Sequence, residues 1–224
     1  MTRCRLIVGL LLGIGAGAAD ADPGYYLVRP YSEAGHTTLD LRYWSVDPPD
    51  GGATLWPEVG LRRGVTSRWS TELLLSWIGA DLRHQSLSSI NWVNQFLLTQ
   101  GDTPYDLALH LQVIRNRGQG NAIEMGPVFQ TEWGWTQLNL NLFWAHDAAA
   151  RRQNQAKLQW QALYRWQPGW RAGVQGFAEP RSWRAGPVFK AALGGGVDLT
   201  AAYLWGNVYR SRADMFSAQL QWGF

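Results

Sequence analysis

Apolar and polar residues alternate with a period of two along most of this chain from Thr37 onward. The clearest example is residues 105–113, in which Tyr, three Leu and Val alternate with Asp, Ala, His and Gln. Such alternation is typical of β-strands with one apolar face, and a helical period is nowhere sustained. Twelve segments of this kind can be counted between clusters of residues that favour turns. The pattern predicts an all-β fold.

The last of these segments ends on an aromatic residue, Phe224. Phe216, Leu220 and Trp222 share its apolar face, and small polar residues alternate with them. A strand of this kind with an aromatic carboxy terminus resembles the last strand of Gram-negative outer-membrane β-barrels. The resemblance implies that Phe224 is an assembly signal, and that the outer-membrane assembly machinery is a partner.

The start of the chain is consistent with export. Arg3 and Arg5 precede an apolar run over residues 6–19, which together predict a cleaved signal peptide over residues 1–21. The run is too short for the roughly 20 residues of a spanning helix. Residues 22–36 are predicted to form a short periplasmic segment, and residues 37–224 the barrel. Cys4 is the only cysteine and lies in the predicted signal, so we expect neither disulfides nor zinc-thiolate sites in the exported chain.

The composition indicates which face of the strands is in contact with lipid. Charged residues make up 17% of the chain, below the roughly 25% of a soluble domain, and there are 14 Trp but only two Lys. A soluble β-sandwich would load its exposed polar face with Lys and Glu, whereas the polar positions here carry mainly Gln, Asn, Ser and Gly. We therefore predict a closed antiparallel transmembrane β-barrel of about twelve strands in the outer membrane, in contact with lipid. Tryptophans are expected at two rims, as in aromatic girdles: Trp69, Trp133, Trp135, Trp166, Trp170 and Trp222 at one, Trp44, Trp56, Trp77, Trp144 and Trp205 at the other.

The register places charges of both signs in the lumen, and no loop is expected to fold inward as a plug. Because charges in a low-dielectric wall are costly unless paired, we expect acid–base contacts across strands. Twelve strands lie between barrels filled by side chains and wide porins, so the sequence predicts a narrow passive pore or transporter for small polar solutes or ions. A plugged structural barrel remains the alternative. The predicted lumen residues are Asp40, Arg42, Glu58, Arg62, Glu72, Asp106, His110, Glu124, Glu132, Lys157, Arg165, Arg171, Glu179, Lys190 and Asp198.

An enzyme is the competing class of function. His84 and Ser86 are similar to the His-x-Ser element of outer-membrane phospholipase A, a family of twelve-stranded barrels that hydrolyse lipid. The chain departs from that pattern at Leu87, and neither Asn91 nor Asn94 has the family's spacing. We therefore predict no catalytic residues and no enzymatic activity, with a lipid hydrolase as the lesser alternative.

No cofactor, metal or nucleic acid is predicted as a partner. The four histidines have no mutual spacing typical of metal ligands. The formal net charge is only +3, and no basic stripe or recognition helix is visible.

Two Gly-Pro elements carry a further resemblance. Residues 126–129 and 186–189 both read Gly-Pro-Val-Phe, and residues 137–143 read Gln-Leu-Asn-Leu-Asn-Leu-Phe. They resemble segments of poorly characterised proteobacterial outer-membrane barrels, in a porin-like and phenol-degradation MetA-like grouping. The prolines remove ladder donors, so local irregularity is expected in the strands that contain them.

Overall fold

A computed structural model describes residues 26–47, 52–99, 101–118, 120–148, 153–180, 182–208 and 211–224. Thirteen strand segments are found among these residues, and every pair of neighbours is antiparallel. The last two segments flank Ala213 and form one wall strand, so the wall has twelve strands. The predicted signal peptide lies outside the described residues.

The strand bounds follow the predicted alternation closely. The strands are β1 Thr37–Asp47, β2 Thr54–Gly64, β3 Trp69–Gly79, β4 Gln85–Leu97, β5 Tyr105–Asn116, β6 Gly120–Trp133, β7 Thr136–Asp147, β8 Gln153–Gln167, β9 Trp170–Glu179, β10 Ser182–Gly194, β11 Val197–Val208, β12 Ser211–Arg212 and β13 Asp214–Gly223.

The sheet closes on itself, which confirms the predicted barrel. The strands from β1 to β11 each pair with their neighbours in sequence, and β13 pairs with both β11 and β1. The first and last strands are joined over ten residue pairs, from Thr38 opposite Gly223 to Asp47 opposite Asp214. Phe224 continues this seam, because its backbone N–H and C=O bond to Thr37 at 2.8 and 3.0 Å. Closure leaves no unpaired sheet edge, as a spanning sheet requires.

The start of β1 and the end of β13 meet at one end of the barrel, which we call the terminal end; the opposite end is the far end. At the terminal end, Gly134 turns β6 into β7 with a φ of 59°, a left-handed value that glycine adopts without strain. The two Gly-Pro elements interrupt their ladders as expected. Pairing of β6 with β7 skips residues 126–127, and pairing of β10 with β11 skips residues 186–187.

The outer face of the wall is apolar. Leu61, Leu73, Trp92 and Trp205 are among many large side chains that are half exposed on it, and Phe224 is 61% exposed. An outward apolar band of this kind is the lipid-facing surface of a transmembrane barrel. None of the described residues forms a helix long and apolar enough to cross a membrane.

Two of the tryptophans assigned to a rim lie elsewhere. Trp44 is buried inside the wall and stacks on Trp56 with ring centroids 3.9 Å apart. The reason is visible in the alternation, since both residues share the inward face of Asp40, Arg42 and Glu58. The prediction placed them at a membrane interface by their position near strand ends alone.

Part of the lumen is also apolar, which the sequence analysis did not anticipate. A buried cluster runs along the inner face of β1, β13, β11, β10, β9 and β8, and it reaches toward the far end. Solvent does not reach these side chains, so they close the lumen at their level. The members of this far cluster are Trp44, Leu163, Phe177, Val188, Ala202, Leu204 and Met215.

Candidate functional site

The lumen is entered from the terminal end by the chain itself. Residues 26–31, which we call the inner segment, lie inside the ring of strands. They precede β1 and belong to residues 22–36, for which we predicted a short periplasmic segment. We expected no loop to fold inward as a plug, and the inner segment is not a loop between strands.

Contacts with six strands fix the inner segment. The Asn141 amide on β7 donates to the backbone oxygen of Val28 at 3.2 Å, and the Gln95 amide on β4 donates to that of Arg29 at 2.5 Å. The Arg29 guanidinium donates to Gln221 on β13 at 2.5 Å. Val28 packs in a second apolar cluster, the near cluster, with Leu97, Ala108, Val128 and Phe143.

Tyrosines mark the two ends of the inner segment. The Arg42 guanidinium lies over the ring of Tyr26, 3.8 Å from its centroid, and the Tyr26 hydroxyl donates to Gln112 at 3.3 Å. Tyr31 is half exposed at the terminal end, where its hydroxyl accepts from Gln130. The inner segment therefore runs from the middle of the lumen outward through the terminal end.

Beside Tyr26, four predicted lumen residues form one ionic network on β1, β2 and β3. The Arg42 guanidinium donates to Asp40 and to Glu72, at 2.6 Å in each case. Arg62 pairs with Glu72 at 3.2 Å and lies 3.9 Å from Asp40. The Arg42–Asp40 pair lies within β1, and the other contacts are cross-strand acid–base contacts of the kind expected. Asp40, Arg42 and Glu72 are almost fully buried, while Arg62 is partly exposed.

Neutral amides complete the coordination of the network's acids. The Gln219 amide donates to both oxygens of Asp40 at 2.9 and 3.0 Å, and Gln221 donates at 3.2 Å. Gly60 leaves room for the Glu72 carboxylate, since a Cβ at this position would come within 2.4 Å of Oε1. Glu58 is also buried, closer to the far end of β2, and accepts a hydrogen bond from the Ser76 hydroxyl at 2.9 Å.

A second buried group of charges lies on β5, β6 and β8. The Lys157 ammonium is 2.8 Å from Glu124, and His110 Nε2 is 3.6 Å from the other oxygen of that carboxylate. All three side chains are buried, and the His110 ring stacks on Phe143 at 4.6 Å. His110 therefore contacts both the near cluster, through Phe143, and this second group of charges, through Glu124.

The remaining predicted lumen residues lie nearer the openings or are less enclosed. Arg171 pairs with Glu132 at 3.0 Å, and both are partly exposed. The Arg165 guanidinium lies 5.7 Å from the centroid of the Trp135 ring. The others are Asp106, Glu179 and Lys190, which are partly buried, and Asp198, which is exposed.

Arg184 is a lumen residue that the sequence analysis missed. It is 1% exposed, and its Nε donates to the backbone oxygen of Ala213 at 3.1 Å. Arg184 lies within the wall strand, because β10 begins at Ser182. The sequence could have shown this, because Arg184 is an even number of residues from Val188 and Lys190 and alternation places all three on the same inward face.

A cavity of about 10 Å³ lies between the inner segment and the wall, lined by residues including Tyr26, Arg62, Glu72 and Gln95. A volume of this size holds about one water molecule. The inward side chains of the near cluster and the far cluster are buried, so the described residues close the lumen at these two levels.

His84 and Ser86 do not engage each other in hydrogen bonds among the described residues. His84 Nδ1 is 2.8 Å from Asp81, and this contact lowers the pKa of the Asp81 carboxyl. The Ser86 hydroxyl donates to the backbone oxygen of Ile78 at 3.3 Å. Asn91 is buried in the lumen and bonds to Ser76 and Ser89 instead.

Within the part of the chain that the structure describes, no group of three or more His, Cys, Asp or Glu could hold a metal ion.

Solved structures of two porins are similar to this chain in fold. The NanC porin aligns with a TM-score of 0.62 at 7% identity, over 82% of this chain and 98% of its own. The KdgM porin aligns with a TM-score of 0.63 at 9% identity, over 84% and 99%. The KdgM porin has also been solved in complex with disordered oligogalacturonate. At such identities, the likeness establishes the porin-like barrel fold and no more.

A third similar structure is the translocator domain of the autotransporter NalP from Neisseria meningitidis, with a TM-score of 0.50 at 8% identity over 84% of this chain and 87% of its own. No family model matches the chain, and no curated protein matches it. The narrower resemblance to the phenol-degradation MetA-like grouping therefore stays a prediction.

Proposed function

We propose that this protein is an outer-membrane pore for small polar solutes or ions, and that the inner segment holds it closed from the periplasmic side. One observation carries the proposal: the plug at the terminal end is a stretch of chain outside the strand ladder. Moving it out breaks no pairing between wall strands. It would uncover a passage lined by amides such as Gln95, Gln112 and Asn141.

The charges of the lumen suit such a passage. The wall carries acids and bases in similar numbers, so mixed-charge rings would give at most a weak preference between cations and anions. The porin-like fold supports the same class of function. Oligogalacturonate is bound by the KdgM porin, and nothing ties that ligand to this chain.

A permanently plugged structural barrel is the second candidate. The far cluster favours it, because the side chains of Trp44, Phe177, Leu204 and Met215 belong to the wall and cannot leave the lumen with the inner segment. A pore therefore needs those side chains to repack once the inner segment has moved.

Vesicle swelling with neutral sugars of increasing size tests the proposal. The comparison is between the wild-type chain and a variant in which residues 26–31 are replaced by a Gly-Ser linker of equal length. We expect slow swelling with the wild type and fast, size-limited swelling with the linker variant. Equal, slow swelling of both proteins would favour the plugged barrel, provided that heat-modifiable gel migration shows both to be folded.

No catalytic activity belongs to this proposal. Ser86→Ala is expected to leave any phospholipid hydrolysis by the purified protein at the background level of the wild type. A loss of measurable hydrolysis in this variant would instead favour the lipid hydrolase. Membrane lipid and the assembly machinery, with Phe224 as its signal, are the partners we propose.

A further inference from the structure

The inner segment is bound through its main chain. Two consecutive backbone oxygens, of Val28 and Arg29, accept hydrogen bonds from amides on two different wall strands, Asn141 on β7 and Gln95 on β4. A turn follows, in which the Tyr31 N–H donates to the same Arg29 oxygen at 2.9 Å. Bonds to the main chain do not depend on which side chains the bound residues carry. Main-chain bonds with pockets for particular side chains are the general mode by which proteins recognise extended peptides.

Two pockets supply the side-chain part of this recognition. An aromatic ring is held at position 26 between the Arg42 guanidinium and the Gln112 amide. Two residues later, an aliphatic side chain is enclosed at position 28 by the near cluster. The wall therefore selects an aromatic residue followed at the second position by an aliphatic one.

Three buried amide oxygens of the lumen wall lack a donor among the described residues, and Asn141, whose amide bonds to Val28, carries one of them. Asn141 Oδ1, Gln137 Oε1 and Gln161 Oε1 are buried and accept no hydrogen bond from any residue that the structure describes. A buried acceptor without a donor is unfavourable, because it loses its hydrogen bonds to water and gains none in return. Backbone N–H groups of a longer or differently placed peptide are donors of the kind that these oxygens lack.

We propose that the lumen is a binding site for extended oligopeptides that enter from the terminal end, and that the inner segment occupies this site as an internal ligand. The proposal rests on the proposed pore and names peptides as its solute class. An entering peptide with the aromatic-x-aliphatic spacing would replace residues 26–31 bond for bond on Asn141 and Gln95.

The test uses the Gly-Ser linker variant in a planar bilayer. A peptide with the sequence of residues 26–31, and an unrelated peptide that keeps only an aromatic residue and an aliphatic residue two positions on, are added on the terminal side. We expect both to block the current. A peptide lacking the spacing and a neutral oligosaccharide of equal length are expected to leave it unchanged.

Two wall variants separate main-chain from side-chain recognition. Asn141→Ala is expected to weaken block by every peptide about five-fold, the equivalent of one hydrogen bond. Gln112→Ala is expected to weaken block about five-fold only for peptides that carry Tyr at the first position, and not for those with Phe. Equal effects of both variants on all peptides would overturn the assigned binding mode.

The outcomes keep the two proposals apart. If the linker variant conducts and no peptide blocks it, the peptide site is wrong and the pore stands. If the linker variant does not conduct, the pore is wrong, and peptide binding is then measured on the same protein by tryptophan fluorescence. Absence of a fluorescence change with the matching peptide would overturn the peptide site as well.

Discussion

The two halves of the lumen are closed by different means. Toward the terminal end, the inner segment fills the space and touches the wall through hydrogen bonds and the near cluster. Toward the far end, the far cluster fills it with side chains that the wall strands themselves carry. The first closure can be withdrawn without breaking any strand pairing, whereas the second changes only if side chains repack. This difference separates a gate from a filled core.

Removing both closures is expected to have the largest effect. The Gly-Ser linker variant combined with Trp44→Ala should show a larger single-channel conductance than the linker variant alone, because a large ring is lost from the far cluster. Trp205→Ala is the matched control, since Trp205 lies on the lipid-facing side of the wall and is half exposed. A double variant with the same conductance as the linker variant would show that the far cluster does not restrict passage.

Arg42 links the wall to the inner segment, because it pairs with Asp40 and Glu72 in the wall and covers the ring of Tyr26. Arg42→Met is expected to lower the free energy of unfolding by about 3–5 kcal/mol, since two buried carboxylates lose the partner that they share and keep only the partly exposed Arg62. Denaturant titration of the refolded barrel measures this change. Arg115→Met, on an exposed arginine of β5, is the control and should shift it by less than about 1 kcal/mol. Similar shifts for both variants would contradict the role assigned to the network.

A change confined to the inner segment should leave the wall as it is. Val28→Ser places a polar group in the near cluster, so we expect the pore to open more often while the midpoint of unfolding shifts little. Single-channel recording and denaturant titration on the same preparation check both parts. A large loss of stability without any openings would mean that the near cluster is a core and not the seat of a gate.

The alternation of residues predicted the wall well, because period two is imposed by strand geometry at every position. It also placed Asp40, Glu72, Glu124 and Lys157 on the polar face. In the structure, Asp40 and Glu72 lie beside Arg62 of another strand, and Glu124 pairs with Lys157. Two features of the structure were not predicted from the sequence. The far cluster consists of apolar residues at inward positions of their strands, where the alternation led us to expect polar ones.

The position of the inner segment in the lumen was not predicted, for a different reason. Nothing in the local pattern of residues 26–31 indicates that they lie in a lumen, because their partners come from six strands distant in sequence. Gln95, Gln112 and Asn141 were recognisable as polar lumen residues, but their amides could equally have faced water. Only the closed barrel brings them around Val28 and Arg29.

A reversible tether tests most directly whether the inner segment is the gate. Val28→Cys and Val128→Cys place two thiols in the near cluster of a protein whose only other cysteine lies in the predicted signal. Disulfide formation is verified by mass spectrometry, and Val28→Cys alone is the control. Single channels should stay closed while the disulfide holds and should open after a reductant is added, with no such response in the control. Openings of equal frequency and size before and after reduction would contradict the account.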